Sequence, residues 1–258
     1  MKVLFLGTGT SQGIPVLGCK CDVCLSPSKY DKRLRSSIMI FLNEKNLLID
    51  AGPDFRFQML KYKIDKIDAI LITHEHRDHI GGLDEIRALN WIYNKPINIY
   101  ANEKVINCIK KIYFYAFDEN KYPGSPDFNL ITIKNEEFFI DDIIITPIQG
   151  LHFNTIVFGY RINDFAYLTD IKIITEDELK KLSGVKVLVI SALRKEEHIS
   201  HMNLFQAIEI IKKIKPNIAY LTHIGHSMGK FKDISKYLKE DLKLKNIKIA
   251  YDGLFLNI

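Results

Sequence analysis

The stretch LITHEHRDHIGG, residues 71–82, constrains the fold of this chain more than any other segment. It places three of the eight histidines of the 258-residue chain within six residues, directly after an apolar, strand-like run. A single histidine at a strand end is usually an ordinary polar residue. Here one tight turn offers four nitrogen or oxygen donors, His74, His76, Asp78 and His79. Such donors bind zinc, manganese and iron, so the stretch predicts a metal site at the end of a strand.

Three further donors lie behind apolar, strand-like runs later in the chain. They are His152, Asp170 and His223. Side chains at the ends of strands can meet at one rim of a sheet, so we expect these residues to join the histidine cluster. Together the seven side chains offer enough ligands for two divalent metals, manganese or zinc.

The apolar patterning predicts an α/β fold. Short runs rich in Ile, Val, Leu, Tyr and Phe, such as KVLFLG, NLLIDAG and VKVLVIS, are typical of strands. Helical patterns such as NLFQAIEIIKKI lie between the later runs, which favours layers of sheet and helix over an all-β barrel. No linker or repeat interrupts the chain, so we expect residues 1–258 to form one domain, with a surface loop at residues 118–129.

The cysteines predict a second, structural metal site. Cys19, Cys21 and Cys24 fall within six residues, and three thiolates with one further donor make a tetrahedral zinc site. His226, in THIGHSM, is the natural fourth ligand. The remaining Cys108 lies in an apolar helical pattern and is expected to be a small buried hydrophobe.

The motif His-x-His-x-Asp-His after an apolar strand resembles the signature of the metallo-β-lactamase fold hydrolases, whose fold is an αββα sandwich. The later donors occur in the order that this family uses. The resemblance implies that one metal is held by His74, His76 and His152. It implies a second metal held by Asp78, His79 and His223, with Asp170 bridging the two.

The glycine-rich start GTGTSQG, the cysteine loop, HEHRDH and THIGH together are similar to the PhnP-type proteins. These are cyclic phosphodiesterases that act on phosphoribosyl 1,2-cyclic phosphate. The resemblance covers motifs from residue 4 to residue 228 and implies that His201 is a general acid. Asp78 is expected to orient the nucleophile as well as to bind metal. The nearby His198 could be a partner of His201, a substrate contact or a histidine without a role. Candidates to bind a terminal phosphate are Arg35, Arg194 and Lys195.

We therefore expect a metal-dependent hydrolase of phosphoric diesters that cleaves a small, cyclic ribose phosphodiester. Two cations would lower the pKa of water and supply hydroxide at neutral pH. Three alternatives remain open: a tRNA 3′-processing nuclease, a thioester or lactam hydrolase, and a catalytically idle metal-binding sensor. The sequence lacks a basic, Gly/Pro-rich insertion that could grip tRNA, and every ligand position is filled, which disfavours the first and the third.

The composition argues against a membrane protein and against a nucleic-acid partner. No run of about eighteen apolar residues occurs, and the apolar start MKVLFLG is too short for a signal-peptide core, so a cytoplasmic location is expected. The formal net charge is +5, but the lysines alternate with apolar residues, as in IKKIKP, which indicates solvated helix faces. The expected partner is the small substrate, and the resemblance leaves room for a homodimer.

Overall fold

The chain forms two β-sheets with helices on their outer faces. The computed structural model describes all 258 residues, from Met1 to Ile258. The strands are β1 (Lys2–Gly7), β2 (Ser37–Leu42), β3 (Lys45–Ile49), β4 (Ala69–Leu71), β5 (Ile97–Ala101), β6 (Phe128–Thr132), β7 (Phe138–Ile140), β8 (Ile143–His152), β9 (Thr155–Ile162), β10 (Phe165–Leu168), β11 (Ile173–Ile174), β12 (Val187–Ser191), β13 (Ile218–Thr222), β14 (Ile247–Ile249) and β15 (Phe255–Asn257). The helices are α1 (Phe55–Tyr62), α2 (Arg77–Ile80), α3 (Arg87–Tyr93), α4 (Glu103–Ile112), α5 (Glu176–Lys180), α6 (Leu204–Ile214) and α7 (Phe231–Lys236). Short 3₁₀ turns lie at Lys29–Asp31, Leu83–Ile86, Phe114–Ala116 and His226–Met228, and a π-helical turn at Tyr237–Asp241 follows α7.

Each sheet combines antiparallel and parallel pairing. The first has the order β15-β1-β2-β3-β4-β5-β6, antiparallel from β15 to β3 and parallel from β3 to β6. The second has the order β11-β8-β9-β10-β12-β13-β14, parallel from β10 onward, and β7 pairs with β8. The turn between β2 and β3 is a tight one in which Asn43 and Glu44 both have positive φ, as the spacing of FLNEKNLLID suggests.

The layers stack as helix, sheet, sheet, helix. Phe5 and Ile38 of the first sheet pack against Phe158 and Tyr160 of the second in a central apolar layer. Helices α1 and α4 cover the outer face of the first sheet, and α5, α6 and α7 cover that of the second. This is the expected αββα sandwich of the metallo-β-lactamase fold.

Strand β1 illustrates why the strand-like runs are apolar throughout rather than alternating. Val3 and Phe5 face the central layer, whereas Leu4 and Leu6 face the outer layer beneath the helices. Successive side chains of a strand point to opposite faces, and both faces are buried here.

Two details differ from the expectations. The loop predicted at residues 118–129 ends at Asp127, because β6 begins at Phe128. Cys108 is only partly buried, packing against the edge of the outer apolar layer, so the prediction of a buried residue was wrong in degree. None of the helices combines the length and apolar composition that crossing a membrane would take.

Candidate active site

Three of the predicted ligands form one group of converging histidines. The ligand nitrogens of His74, His76 and His152 lie within 4.8 Å of one another. The ring centroid of His74 is 4.5 Å from that of His76 and 5.5 Å from that of His152. His74 is buried three residues beyond the end of β4, whereas His76 is exposed, so the site opens to solvent on the side of His76.

Asp78, His79 and His223 form a second group within the same limit of 4.8 Å. Asp170 lies against this group and reaches the first. Its Oδ2 is 3.3 Å from His79 Nε2, its Oδ1 is 3.1 Å from His223 Nε2, and it shares a third group with His74 and His79. The seven side chains are therefore brought together in the arrangement that the resemblance implies, while their binding of metal stays a prediction.

Close backbone packing shapes the HEHRDH turn. Helix α2 is a single turn, and the backbone N–H of Ala51 donates to the carbonyl of His79 at 2.8 Å. A Cβ added to Gly52 would lie 2.0 Å from the carbonyl oxygen of Asp78. Only glycine lets the chain after β3 pass so close to the ligand-bearing turn.

Three buried carboxylate or histidine residues hold an unusual backbone conformation. The φ angles of Asp50, Asp170 and His223 are 64°, 59° and 56°. Residues other than glycine seldom adopt this left-handed backbone conformation. The strain that it causes is retained mainly at functional sites.

Polar groups behind the candidate ligands orient the imidazole rings, and no motif in the sequence predicted them. His79 Nδ1 donates to Asp50 Oδ2 at 2.7 Å, and Thr73 Oγ1 also donates to that carboxylate. His152 Nδ1 donates to the carbonyl of Ser200 at 2.7 Å. A ring nitrogen used in this way leaves Nε2 for a metal. Asp50 follows the apolar run NLLI, so the strand-end pattern that marks the ligands could have revealed it.

The chemistry of the buried donors fits divalent cations. His74 Nε2 is buried and has no hydrogen-bond partner. Burial, followed by the charge of His79, lowers the pKa of His74 well below its ordinary value and leaves the neutral imidazole that a metal requires. Burial opposes the charged form of His79, yet Asp78, Asp50 and Asp170 raise its pKa well above the usual range. The carboxylates thus concentrate negative charge where cations would lie.

His201 lies against the cluster of candidate ligands, whereas His198 lies beside His201 on the side away from the cluster. The ring centroid of His201 is 4.4 Å from that of His152, and its Nδ1 is 3.4 Å from Asp170 Oδ1. Burial, against the opposing effect of Asp170, lowers the pKa of His201 to about 3. The ring centroid of His198 is 5.1 Å from that of His201, with the two rings tilted by 46°, and His198 belongs to none of the donor groups.

The cysteine loop forms a separate group of donors. The Sγ atoms of Cys19, Cys21 and Cys24 lie 3.3, 3.4 and 3.6 Å from His226 Nδ1. All four ligand atoms lie within 4.8 Å of one another, which fits the four-coordinate geometry of a structural zinc site.

Of the three cations considered for a terminal phosphate, two already have partners. Arg35 Nη1 pairs with Asp54 Oδ1 at 2.9 Å. Lys195 Nζ lies 4.7 Å from the ring centroid of Tyr237. The side chain of Arg194 makes only a hydrogen bond to a backbone carbonyl.

The fold and the paired donor groups are those of a metallo-β-lactamase fold protein. The family described as Beta-lactamase superfamily domain matches residues 45–224, a range that includes all seven candidate ligands of the histidine and aspartate cluster. The chain belongs to this family.

Within the family the chain is PhnP-like. The solved structure of a new diphosphatase from the PhnP family superposes on it with a TM-score of 0.91 at 35% identity, covering 100% of this chain and 97% of that one. Zinc-bound PqqB from Methylobacterium extorquens shares the fold, with a TM-score of 0.78 at 19% identity over 100% of both chains.

Two relatives of known sequence are longer than this chain. An octanoyltransferase of Porphyromonas gingivalis is 38% identical over 257 residues, which are 98% of this chain and 51% of that protein. A ribonuclease Z of Enterococcus faecalis is 27% identical over 179 residues, 67% of this chain and 52% of that protein. The chain thus spans about half the length of these relatives.

Proposed function

We propose that this protein is a metal-dependent phosphodiesterase that hydrolyses a small phosphodiester, with cyclic ribose phosphates as the first candidates. The observation that carries the proposal is the juxtaposition of two three-donor groups around Asp170, with His201 at their edge. Paired cation sites suit in-line displacement at phosphorus, because both the attacking and the leaving oxygen need charge stabilisation. The likeness to a PhnP-family diphosphatase supports a phosphorus centre.

In this proposal each donor group holds one divalent cation. The first cation would be held by His74, His76 and His152, and the second by Asp78, His79 and His223, with Asp170 available to both. Manganese and zinc both suit nitrogen and carboxylate ligands. Bound cations of this kind lower the pKa of water and take up charge on phosphoryl oxygens. A structural zinc is proposed for Cys19, Cys21, Cys24 and His226.

The residues of the protein orient the water and supply a proton. Burial works against the carboxylate of Asp78, but His79, whose Nε2 is 3.1 Å from Asp78 Oδ2, lowers the pKa of Asp78. Asp78 therefore stays ionised and can accept a hydrogen bond from the attacking water. His201 is neutral without substrate; a phosphate anion beside its ring would favour the protonated form, as Asp170 already does. Proton transfer from His201 to the leaving oxygen would contribute about 10²–10⁴-fold.

A second candidate is an acyl hydrolase acting on a thioester, since the same centre can activate water against a carbonyl. One observation favours it: the relative described as an octanoyltransferase is 38% identical across this chain. That support is weaker, because about half of the relative has no counterpart here. The alternative of a tRNA 3′-processing nuclease has less support, because this chain is only 27% identical to the ribonuclease Z of Enterococcus faecalis.

Hydrolysis assays on the purified protein test the proposal. Bis(p-nitrophenyl) phosphate should be cleaved with added manganese or zinc, and chelation should abolish the turnover. The Asp170→Asn change should remove it too, whereas Asp177→Asn, at an exposed residue of α5 paired with Lys180, should not. Turnover of an octanoyl thioester without turnover of the diester would move the assignment to carbonyl chemistry.

A further inference from the structure

The ring of His223, which belongs to the second sheet, is contacted by a hydroxyl group of the first sheet. His223 directly follows β13, whereas Ser36 directly precedes β2. Ser36 Oγ lies 3.2 Å from His223 Nδ1, and each of the two residues is only 1% exposed. A candidate ligand of the second cation is therefore contacted by a residue that lies 187 positions earlier in the chain, outside the histidine motifs.

Backbone pairing fixes Ser36 against this ring. The segments that follow β1 and β13 pair in parallel at Gly9 and Ile224, and Gly9 also pairs with Arg35. The backbone N–H of Ser36 donates to the carbonyl of Gly9 at 3.0 Å, and the N–H of Thr10 donates to the carbonyl of Ile224 at 3.1 Å. Ser36 thus belongs to a backbone framework that joins the two sheets beside the candidate site.

The hydrogen bonds of Ser36 indicate which nitrogen of His223 carries the ring proton. Ser36 Oγ donates to the carbonyl oxygen of Gly9 at 2.9 Å, and this bond uses the single hydroxyl proton. The hydroxyl oxygen can then only accept from His223 Nδ1. Because a neutral imidazole carries one proton, Nε2 is left with the free lone pair that a metal requires.

A second acceptor competes for the same proton. Asp170 Oδ1 lies 3.1 Å from His223 Nε2, and an ionised carboxylate is a stronger acceptor than a hydroxyl group. Without the hydroxyl group of Ser36 the ring proton would move to Nε2, where it blocks the binding of a cation. Thr10 Oγ1, 3.1 Å from Nε2, can donate or accept and therefore permits either form of the ring.

We propose that Ser36 is a positioning residue for the second cation: it holds the ring proton of His223 on Nδ1 and leaves Nε2 free beside Asp78 and His79. The inference rests on the proposed function for the reaction, but its effect on metal affinity does not depend on the substrate. Loss of such a partner behind a ligating histidine lowers metal affinity by about 10–100-fold.

Equilibrium dialysis against manganese tests this role. Manganese suits nitrogen and carboxylate ligands, whereas clustered thiolates favour zinc, so bound manganese reports on the histidine and aspartate groups. Ser36→Ala should bind one of two manganese ions about 10–100-fold more weakly and leave the other nearly unchanged. Ser36→Thr keeps the hydroxyl group and should restore most of the affinity. Ser191→Ala is the control, because it removes an equally buried hydroxyl that has no hydrogen-bond partner.

The position of the proton gives a readout that a purely structural role would not change. In a long-range proton–nitrogen correlation spectrum of the manganese-free protein, with isotope-labelled histidine, His223 should be protonated on Nδ1. Its signals are assigned by their absence from His223→Gln. In Ser36→Ala the proton should move to Nε2, beside Asp170, whereas Ser191→Ala should keep the wild-type pattern.

Equal manganese affinity in Ser36→Ala and Ser191→Ala would overturn the role of Ser36. A wild-type ring protonated on Nε2, or an equal loss of affinity for both ions in Ser36→Ala, would overturn it as well. If the wild-type protein binds two manganese ions but cleaves no phosphodiester, the proposed function fails, while the role of Ser36 is still decided by the affinity and the spectrum.

Discussion

The two donor groups of this protein are supported in different ways. The candidate ligands of the histidine cluster follow or end strands whose side chains pack into apolar clusters of 24 and 21 buried residues. The cysteine loop lies between β1 and β2, where no helix exceeds one turn, and its own apolar cluster has three buried residues, Ile14, Val23 and Cys24. The sheets can position the first group without a metal, whereas the loop has few other contacts to order it.

This difference separates chemistry from folding. A ligand taken from the strand ends should cost activity while the sandwich persists, because the apolar layers supply the stability. A ligand taken from the loop should cost local order first, because in small irregular segments metal binding contributes folding free energy.

The largest expected effect is that of His74→Ala. We expect kcat/KM on a phosphodiester to fall by about a thousandfold or more, because cation stabilisation of the transition state is worth several kcal/mol. The thermal midpoint should move by less than about 5 °C, since the packed strands remain. Steady-state kinetics and thermal unfolding measure both. Full activity in this variant would refute the site assignment.

A smaller effect is expected from Asp50→Asn. The uncharged amide cannot replace the carboxylate that accepts from His79 Nδ1 at 2.7 Å, so the metal affinity should fall by about 10–100-fold. Equilibrium dialysis against zinc or manganese measures the change. Asp68→Asn, just before β4 and outside the donor groups, is the control. An unchanged affinity would mean that Asp50 serves only the fold.

Cys21→Ser should act on the loop rather than on the reaction. We expect the variant to lose about one zinc per chain and to become sensitive to protease within residues 11–28, because the loop has little apolar packing of its own. Turnover should fall by less than about tenfold. Some loss is expected because Thr10, which also lies between β1 and β2, places its Oγ1 3.1 Å from His223 Nε2. Cys108→Ser, outside both groups, should retain metal content and protease resistance. Loss of all bound metal in Cys21→Ser would contradict the separation of the two sites.

The smallest effect concerns the end of the cysteine loop. Burial raises the pKa of Asp252 to about 6, and this carboxylate accepts from the backbone N–H of Leu34 and from Thr8 Oγ1. A raised pKa in the folded state means that the folded protein binds the proton more tightly, so stability falls as pH rises. Between pH 5 and pH 7 the loss should be about 1 kcal/mol. Asp252→Asn should remove this part of the pH dependence of urea unfolding; an unchanged slope would exclude Asp252 as its source.

Much of the site could be predicted because its signals are local. The HEHRDH turn and the donors of the later strand ends lie beside apolar runs, and their residue types already favour metal binding. Asp50 carries the same signal but was missed, because a single aspartate after a strand is common and its contact with His79 lies 29 residues away in sequence.

The roles of the cations could not be predicted. Arg35, Arg194 and Lys195 look alike in the sequence, and only their distant neighbours distinguish them. Asp54 neutralises Arg35, the ring of Tyr237 covers Lys195, and Arg194 retains donors at the edge of the site. Charge pairing depends on distances between residues remote in the chain, and no local pattern encodes them.

The amino-acid pattern alone predicts the apolar runs, hence layers of sheet and helix, and the types of donor that follow the strands; the sandwich was implied by the resemblance of the HEHRDH motif to a family. The packing of the two sheets sets which donors lie together, how the buried carboxylate of Asp170 meets both groups, and where Arg194 lies without an ion-pair partner. The physical reason is the separation along the chain over which each effect acts. The apolar pattern reflects neighbouring residues, whereas the packing of the two sheets sets the distances between residues such as His74 and His152, which are far apart in sequence.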